Sequence, residues 1–304
     1  MTKKRLIGAH VSSAGGHDKA IERAADIGCN CVQVFSGSPR VWQRPSLAGI
    51  DTEKLYAKQK ELSVKPIFTH ALYLINLTAE KPEIITKSVE TLTKELEFDA
   101  HVNGAGVVVH LGSHLGNGWE TVRQDLVDRL DMILNTTPKN SRLLIENSAG
   151  QQGKLCSDLS EIRWLLDELE KLGQFVSKGR LGWCLDTCHA WAAGYHLGPH
   201  PPQETTSKNG NQGSAFEVIS EHGLWSTLKV IHVNDSRDPF ASGRDRHANI
   251  GDGTIPQQDL QHFLNQPELL NIPLITEVPG IDGNGPDQVN IERIKRLVKS
   301  KSNF

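Results

Sequence analysis

The chain has 304 residues, 38% hydrophobic and 23% charged, with a formal net charge of −3. That is enough apolar material for a substantial core, which excludes a disordered or fibrous chain, and no apolar run reaches membrane-spanning length. The five cysteines form no Cys-x-x-Cys pair, and no leader-like apolar segment follows Lys3, Lys4 and Arg5, so they read as free buried thiols of a cytoplasmic protein (nuclear or mitochondrial being the alternative in a eukaryotic source).

Leu6 to Val11 reads as a first strand, followed by a helix over Asp18 to Ile27 in which Ile21, Ala24 and Ala25 share a face and Gly28 is the stop. Cys31 to Phe35 is a second strand, with a loop from Ser36 to Pro45 and a helix over Thr52 to Leu62. Lys65 to His70 precedes a helix over Glu83 to Phe98, where Ile85, Val89, Leu92 and Leu96 are in register. Ala105 to His110 leads to a helix over Val122 to Leu134, and Arg142 to Glu146 to one over Leu159 to Leu172. Leu181 to Asp186 is the sixth strand; a long polar loop, Gly198 to Ser214, separates it from a short helix through Phe216 and Ile219. Lys229 to Val233 runs into a second long loop, Asn234 to Thr254, and a helix over Pro256 to Leu264. Ile272 to Glu277 and a last amphipathic helix, Val289 to Val298, complete the chain.

Strands alternating with helices predict an α/β fold, a single (β/α)8 TIM barrel over 1–304, with an individual loop at 198–214 and a short flexible tail at 300–304. A doubly wound sheet is disfavoured because no GxGxxG follows the first strand. In such a barrel the C-terminal strand ends converge on one mouth. Here they bring His70, His110, Glu146, Asp186 and Glu277, with His232 just inside the seventh tip and His189 just past the sixth. The loop after strand seven adds Asp245 and His247. Four carboxylates in one mouth repel one another unless cations neutralise them. Mixed imidazole and carboxylate donors favour Zn²⁺ or a similar ion, and nine donors exceed what one catalytic ion accepts.

Several segments then resemble endonuclease IV, the zinc-dependent family of abasic-site endonucleases: GAHVSSAGG at Gly8 to Gly16, YLINL at Tyr73 to Leu77, HLGSHL at His110 to Leu115, IENSAGQ at Ile145 to Gln151, CLDTCHAWAAGY at Cys184 to Tyr195, and HVND…DRH between His232 and His247. The chain departs from that pattern at Ala71-Leu72, at Ser236 to Arg244 and in the 198–214 loop. The resemblance implies three Zn²⁺ per chain. Glu146 bridges two, one completed by His70 and His110 and the other by Asp186, His232 and Glu277; His189, Asp245 and His247 hold the third. It also implies action on duplex DNA at an abasic site, hydrolysing the 5′ phosphodiester to a 3′-hydroxyl and a 5′-deoxyribose phosphate, with 3′-phosphatase and phosphodiesterase activity besides; a monomer is expected because nothing in the sequence advertises a coiled coil or an obligate interface. Glu146 serves as bridging ligand and possible base, while Arg40, Tyr73 and Leu74 fill the vacated base stack. Three divalent ions would reverse the sign of the formal charge and place the positive field at the mouth. The alternatives are a metal-dependent sugar isomerase or epimerase on the same barrel, which leaves His189, Asp245 and His247 unexplained, and a non-catalytic damage-binding protein, which needs no complete ligand set.

Overall fold

In the computed structural model of the chain, residues 4–151, 153–202 and 211–298 are described. The tail at 300–304 and the middle of the 198–214 loop lie outside the described residues. Eight short strands form the barrel: β1 (Ile7–His10), β2 (Cys31–Phe35), β3 (Ile67–His70), β4 (Val107–Val109), β5 (Leu143–Glu146), β6 (Leu181–Asp186), β7 (Leu228–His232) and β8 (Leu274–Thr276). Every pairing is parallel, and β1 pairs with β8 to close the ring. Near-continuous aliphatic runs suit strands buried on both faces, by a plug of side chains inside and by helices outside.

The interior register decides where the chemistry goes. Cys31, Phe68, Val108, Leu144, Cys184, Val230 and Ile275 form one buried cluster, a single side chain from each of seven strands. Side chains two residues apart along a strand point the same way. Two residues above the plug therefore stand Gln33, His70, His110, Glu146, Asp186, His232 and Glu277. On β1 the same step runs from Gly8 to His10. Gly8 is needed where it is: a Cβ there would lie 2.3 Å from the Cys31 carbonyl oxygen.

The helices are α1 (His17–Asp26), α2 (Thr52–Leu62), α3 (Pro82–His101), α4 (Trp119–Thr136), α5 (Leu159–Gly173), α6 (Thr187–Ala193), α7 (Ala215–Glu221), α8 (Gln257–Leu264) and α9 (Gln288–Leu297). Carboxylates start several of them: Asp51, Asp158 and Asp287 accept from Lys54, Ser160 and Asn290 N–H groups in the first turns of α2, α5 and α9. α3 and α4 exceed their predicted spans because their terminal turns are largely polar, and apolar periodicity does not register them. Pro82 opens α3 at a position where its missing N–H costs nothing.

Two expectations need correction. His110 and Glu277 lie one residue beyond β4 and β8 rather than within them. The segment after β6 is a helix, α6, where none was expected. Asp186 starts it by accepting the His189 N–H at 2.9 Å, and its residues are all buried. Seven residues are too few for periodicity to register. All five cysteines are free and buried. Among the described residues no helix is long and apolar enough to cross a membrane.

Replacing Gly8 by Ala should wedge β1 from β2 and lower stability by about 1–3 kcal/mol. Gly49, where an added Cβ would meet nothing within 4 Å, should tolerate the same change. Urea unfolding midpoints of the two variants check this.

Candidate metal centre

All nine predicted donors meet at the C-terminal mouth. Glu146 is the hub: its Oε2 lies 3.3 Å from His70 Nε2 and 3.2 Å from His110 Nε2, and its Oε1 lies 2.9 Å from His232 Nδ1. His232 Nδ1 is also 3.2 Å from Glu277 Oε2. On the other side His189 Nε2 is 3.0 Å from Asp245 Oδ1, and His247 Nε2 is 3.4 Å from the same oxygen and 3.6 Å from Asp186 Oδ2. Among the described residues four overlapping sets of ligand atoms are close enough to share a cation: His70, His110 and Glu146; Glu146, Asp186, His232 and Glu277; Asp186, His189 and His247; and Glu146, Cys184 and His232. The first two gather the residues that the resemblance implies for the ions on either side of Glu146. In the third, Asp186 joins His189 and His247, with Asp245 on the more exposed side.

The ring tautomers test whether metal fits. His70 Nδ1 donates to the Ala71 carbonyl at 2.7 Å, His189 Nδ1 to the Asn147 carbonyl at 3.0 Å, and His232 Nε2 to Gln33 Oε1 at 2.9 Å. A carbonyl oxygen only accepts, so each of those nitrogens carries its hydrogen and the other presents a lone pair. Those lone pairs face carboxylate oxygens. The arrangement is repulsive unless a cation lies between, either a proton or a metal, and outward N–H bonds of this kind are how metal-binding imidazoles are oriented. His189 Nε2 and His247 Nε2 are buried and have no hydrogen-bond partner among the described residues. The donors fit divalent metal.

The charges agree. Burial raises a carboxylate, yet His110 and His232 hold Glu146 well below its ordinary range, and His232 and His10 do the same for Glu277. Burial pushes Asp186 up. Burial also drops His110 to about 4, so it stays neutral near neutral pH and its lone pair is available. Burial works against protonating His189 and His232, but Asp186 and Asp245 around the first outweigh it, as do Cys184, Glu277 and Glu146 around the second, and both sit well above the usual imidazole range. Those shifts favour a proton on His189 and His232 where a metal would otherwise take the lone pair.

Sequence reasoning missed the residues that hold the ligands. Asn234 bridges two of them, donating to Asp186 Oδ2 at 2.6 Å and accepting the Glu277 N–H at 2.8 Å. Asn147 accepts the Asp186 N–H at 2.7 Å. The Asp235 carboxylate gathers N–H groups from Ser236, Gly251, Gly253 and Ile255, folding the long loop back over β7. There Asp235-Ser236 pairs antiparallel with His247-Ala248. Asp238, in the segment that departs from the family pattern, pairs with Arg246 between the two ligands Asp245 and His247. The available signal was that Asn147 and Asn234 each follow a strand end by one or two residues.

The three expected DNA-contacting residues are exposed. Tyr73 and Leu74 are 57% and 43% accessible, while Leu72 is buried beneath them, so the Ala71-Leu72 departure does not draw them inward. Asn76 ties their loop to the next by accepting from Ser113 N and donating to Ser113 O. Arg40 is exposed in the loop after β2. That loop is pinned by the buried Arg44, which pairs with Glu95 at 3.1 Å and donates to the Ser38 and Val41 carbonyls.

A parallel barrel with a ring of imidazole and carboxylate donors at its mouth defines the class, and sequence comparison agrees: the model of the xylose isomerase-like TIM barrel family matches residues 21–299. Within that group, the probable endonuclease 4 of Halothermothrix orenii is 35% identical over 95% of this chain and 99% of its own. The crystal structure of endonuclease IV from Thermus thermophilus superposes with a TM-score of 0.76 at 30% identity, over 96% of this chain and 97% of that one. The chain belongs to the endonuclease IV family, and is a hydrolase of the nuclease type. A 3-keto-D-glucoside 4-epimerase from E. coli covers 97% of the chain with a TM-score of 0.65 but at 14% identity, and shares the fold alone.

Two outcomes follow. Divalent ions at about 100 times their dissociation constant should stabilise the protein by about 2.7 kcal/mol per site, and Glu146→Gln should abolish most of that gain without lowering the apo melting temperature; differential scanning fluorimetry with and without metal decides. Protons on His189 and His232 must leave when metal enters, so apparent affinity should fall as pH falls and binding should release protons. Calorimetry in buffers of different ionisation enthalpy measures the release.

Proposed function

We propose that the protein is a zinc-dependent abasic-site endonuclease, hydrolysing the phosphodiester 5′ to an abasic deoxyribose in duplex DNA to leave a 3′-hydroxyl and a 5′-deoxyribose phosphate. The observation that supports this most is the set of imidazole lone pairs turned inward on four carboxylates. His70, His110 and Glu146 would hold one ion, Glu146, Asp186, His232 and Glu277 a second, and His189, Asp245 and His247 a third, with Asp186 beside it. When bound, such ions supply Lewis-acid stabilisation of charge developing on phosphate oxygens and acidify a water. Glu146, central to the ring and held as a carboxylate by its imidazoles, accepts the proton of the attacking water. The exposure of Asp245, the one ligand 42% accessible, gives the scissile phosphate its approach.

Selectivity comes from shape. An abasic nucleotide lacks the stacked and paired base that opposes extrusion. Tyr73 and Leu74 stand out from a loop anchored by Asn76, and Arg40 from a loop anchored by Arg44, so each reaches the duplex from a fixed base and fills the emptied stack. The same mouth accommodates a blocked 3′ end, whose phosphate or phosphoglycolate is removed by the same hydrolysis. The supporting relatives carry endonuclease names across their full length, which weighs against a sugar substrate.

A duplex carrying one tetrahydrofuran abasic analogue should be cut once, 5′ to the lesion, and not after chelation; zinc should restore cutting. Failure to cleave with metal bound removes the reading. Tyr73→Ala should retain metal but lose about 1–3 kcal/mol of the stacking interaction, roughly 5- to 150-fold in kcat/KM on this substrate.

A further inference from the structure

Six of the eight ring positions above the barrel plug are metal donors. The two that are not, His10 and Gln33, occupy adjacent strands in direct register. Gln33 is fully buried, and a buried amide in a barrel interior carries a desolvation cost that its contacts must offset.

Those contacts form a chain between two donors. The Gln33 amide nitrogen donates to Glu277 Oε1 at 2.7 Å and faces His10 Nδ1 at 3.1 Å. Its carbonyl oxygen lies 2.9 Å from His232 Nε2. His10 Nδ1 is itself 3.1 Å from the same Glu277 oxygen.

The amide can sit only one way round. A carboxylate accepts and never donates, so turning the amide over would set its oxygen against Glu277 at hydrogen-bond distance. Glu277 thereby fixes the direction of Gln33. Gln33 in turn requires a hydrogen on His232 Nε2, which turns the Nδ1 lone pair toward Glu146 and Glu277, 2.9 and 3.2 Å away. With the opposite tautomer His232 would offer those carboxylates a hydrogen, and its electron pair would point at Gln33 instead of the shared site.

We propose that Gln33 is a positioning residue for the ion shared by Glu146, Asp186, His232 and Glu277: one amide sets the tautomer of His232 and the rotamer of Glu277 together. The proposal rests on the metal-centre reading above. It separates Gln33 from a residue that merely fills the barrel, because it affects one ion and leaves the apo fold as it is.

The test uses the full-length protein and Co²⁺ alone. Wild type and Gln33→Met, which keeps the length and loses both hydrogen bonds, are titrated against a competing chelator and followed by the visible absorption of bound cobalt. Removing an outer-shell partner of a metal ligand typically costs about 10–100-fold in affinity. Gln33→Met should lose one class of site by that factor and keep the others, with the apo protein still unfolding cooperatively in urea at a midpoint lowered only by the loss of an acceptor for the buried His232 N–H. Should Gln33→Met fail to fold, Gln33→Glu carries the test: its carboxylate still accepts from His232 but repels Glu277, and the same single class of site should weaken. Unchanged affinity at every site in the folded variant overturns the proposal. A wild-type protein that takes up no cobalt overturns the metal-centre reading itself, and the proposal with it.

Discussion

The Glu146 carboxylate, fully buried and faced by three imidazoles within 3.3 Å, is the constraint around which the mouth of this barrel is built. A buried anion needs compensation. Here the compensation is arranged at one remove, since the imidazoles fixed by backbone and amide acceptors turn lone pairs toward the carboxylates. What they hold in common is therefore a place for a cation. The loops, the small ribbon at 235–236 and 247–248 and helix α6 all act to keep that place open and correctly lined.

Barrel geometry supplies the convergence. A period of two along each strand puts an apolar residue into the plug and the next interior residue into the ring. Neighbouring strands in parallel register do the rest. Elements outside the barrel complete the set: His189 comes from the first turn of α6, and Asp245 and His247 from a loop folded back by Asp235. These outer donors are the ones a sugar-converting site on the same barrel leaves unexplained, and they extend the donor set beyond the strand ends.

Much of this was legible in the sequence. Five of the eight strands read as apolar runs ending in His, Asp or Glu, and seven of the nine donors stand at or near strand ends, with Asp245 and His247 in the long loop after strand seven. Helix boundaries were less legible where polar terminal turns hide the period, as at His101 and Thr136, and α6 was too short to show one. Gln33 and Asn234 were missed for a different reason. Neither residue type announces metal chemistry, and their importance lies in which atom of a distant ligand they touch, at separations of 199 and 48 residues respectively. The interior register does reveal Gln33 once the plug residue Cys31 is identified, because it stands two positions later.

The most direct measurement of the central claim is the metal content of the protein purified without added metal or chelator, by elemental mass spectrometry against amino-acid analysis. The account predicts two or more divalent ions per chain, zinc foremost, because nine donors exceed the needs of a single ion. A protein carrying fewer than two, yet folded with the same ring of side chains, would show that protons alone satisfy the inward lone pairs, and the case for phosphodiester hydrolysis at this mouth would fail.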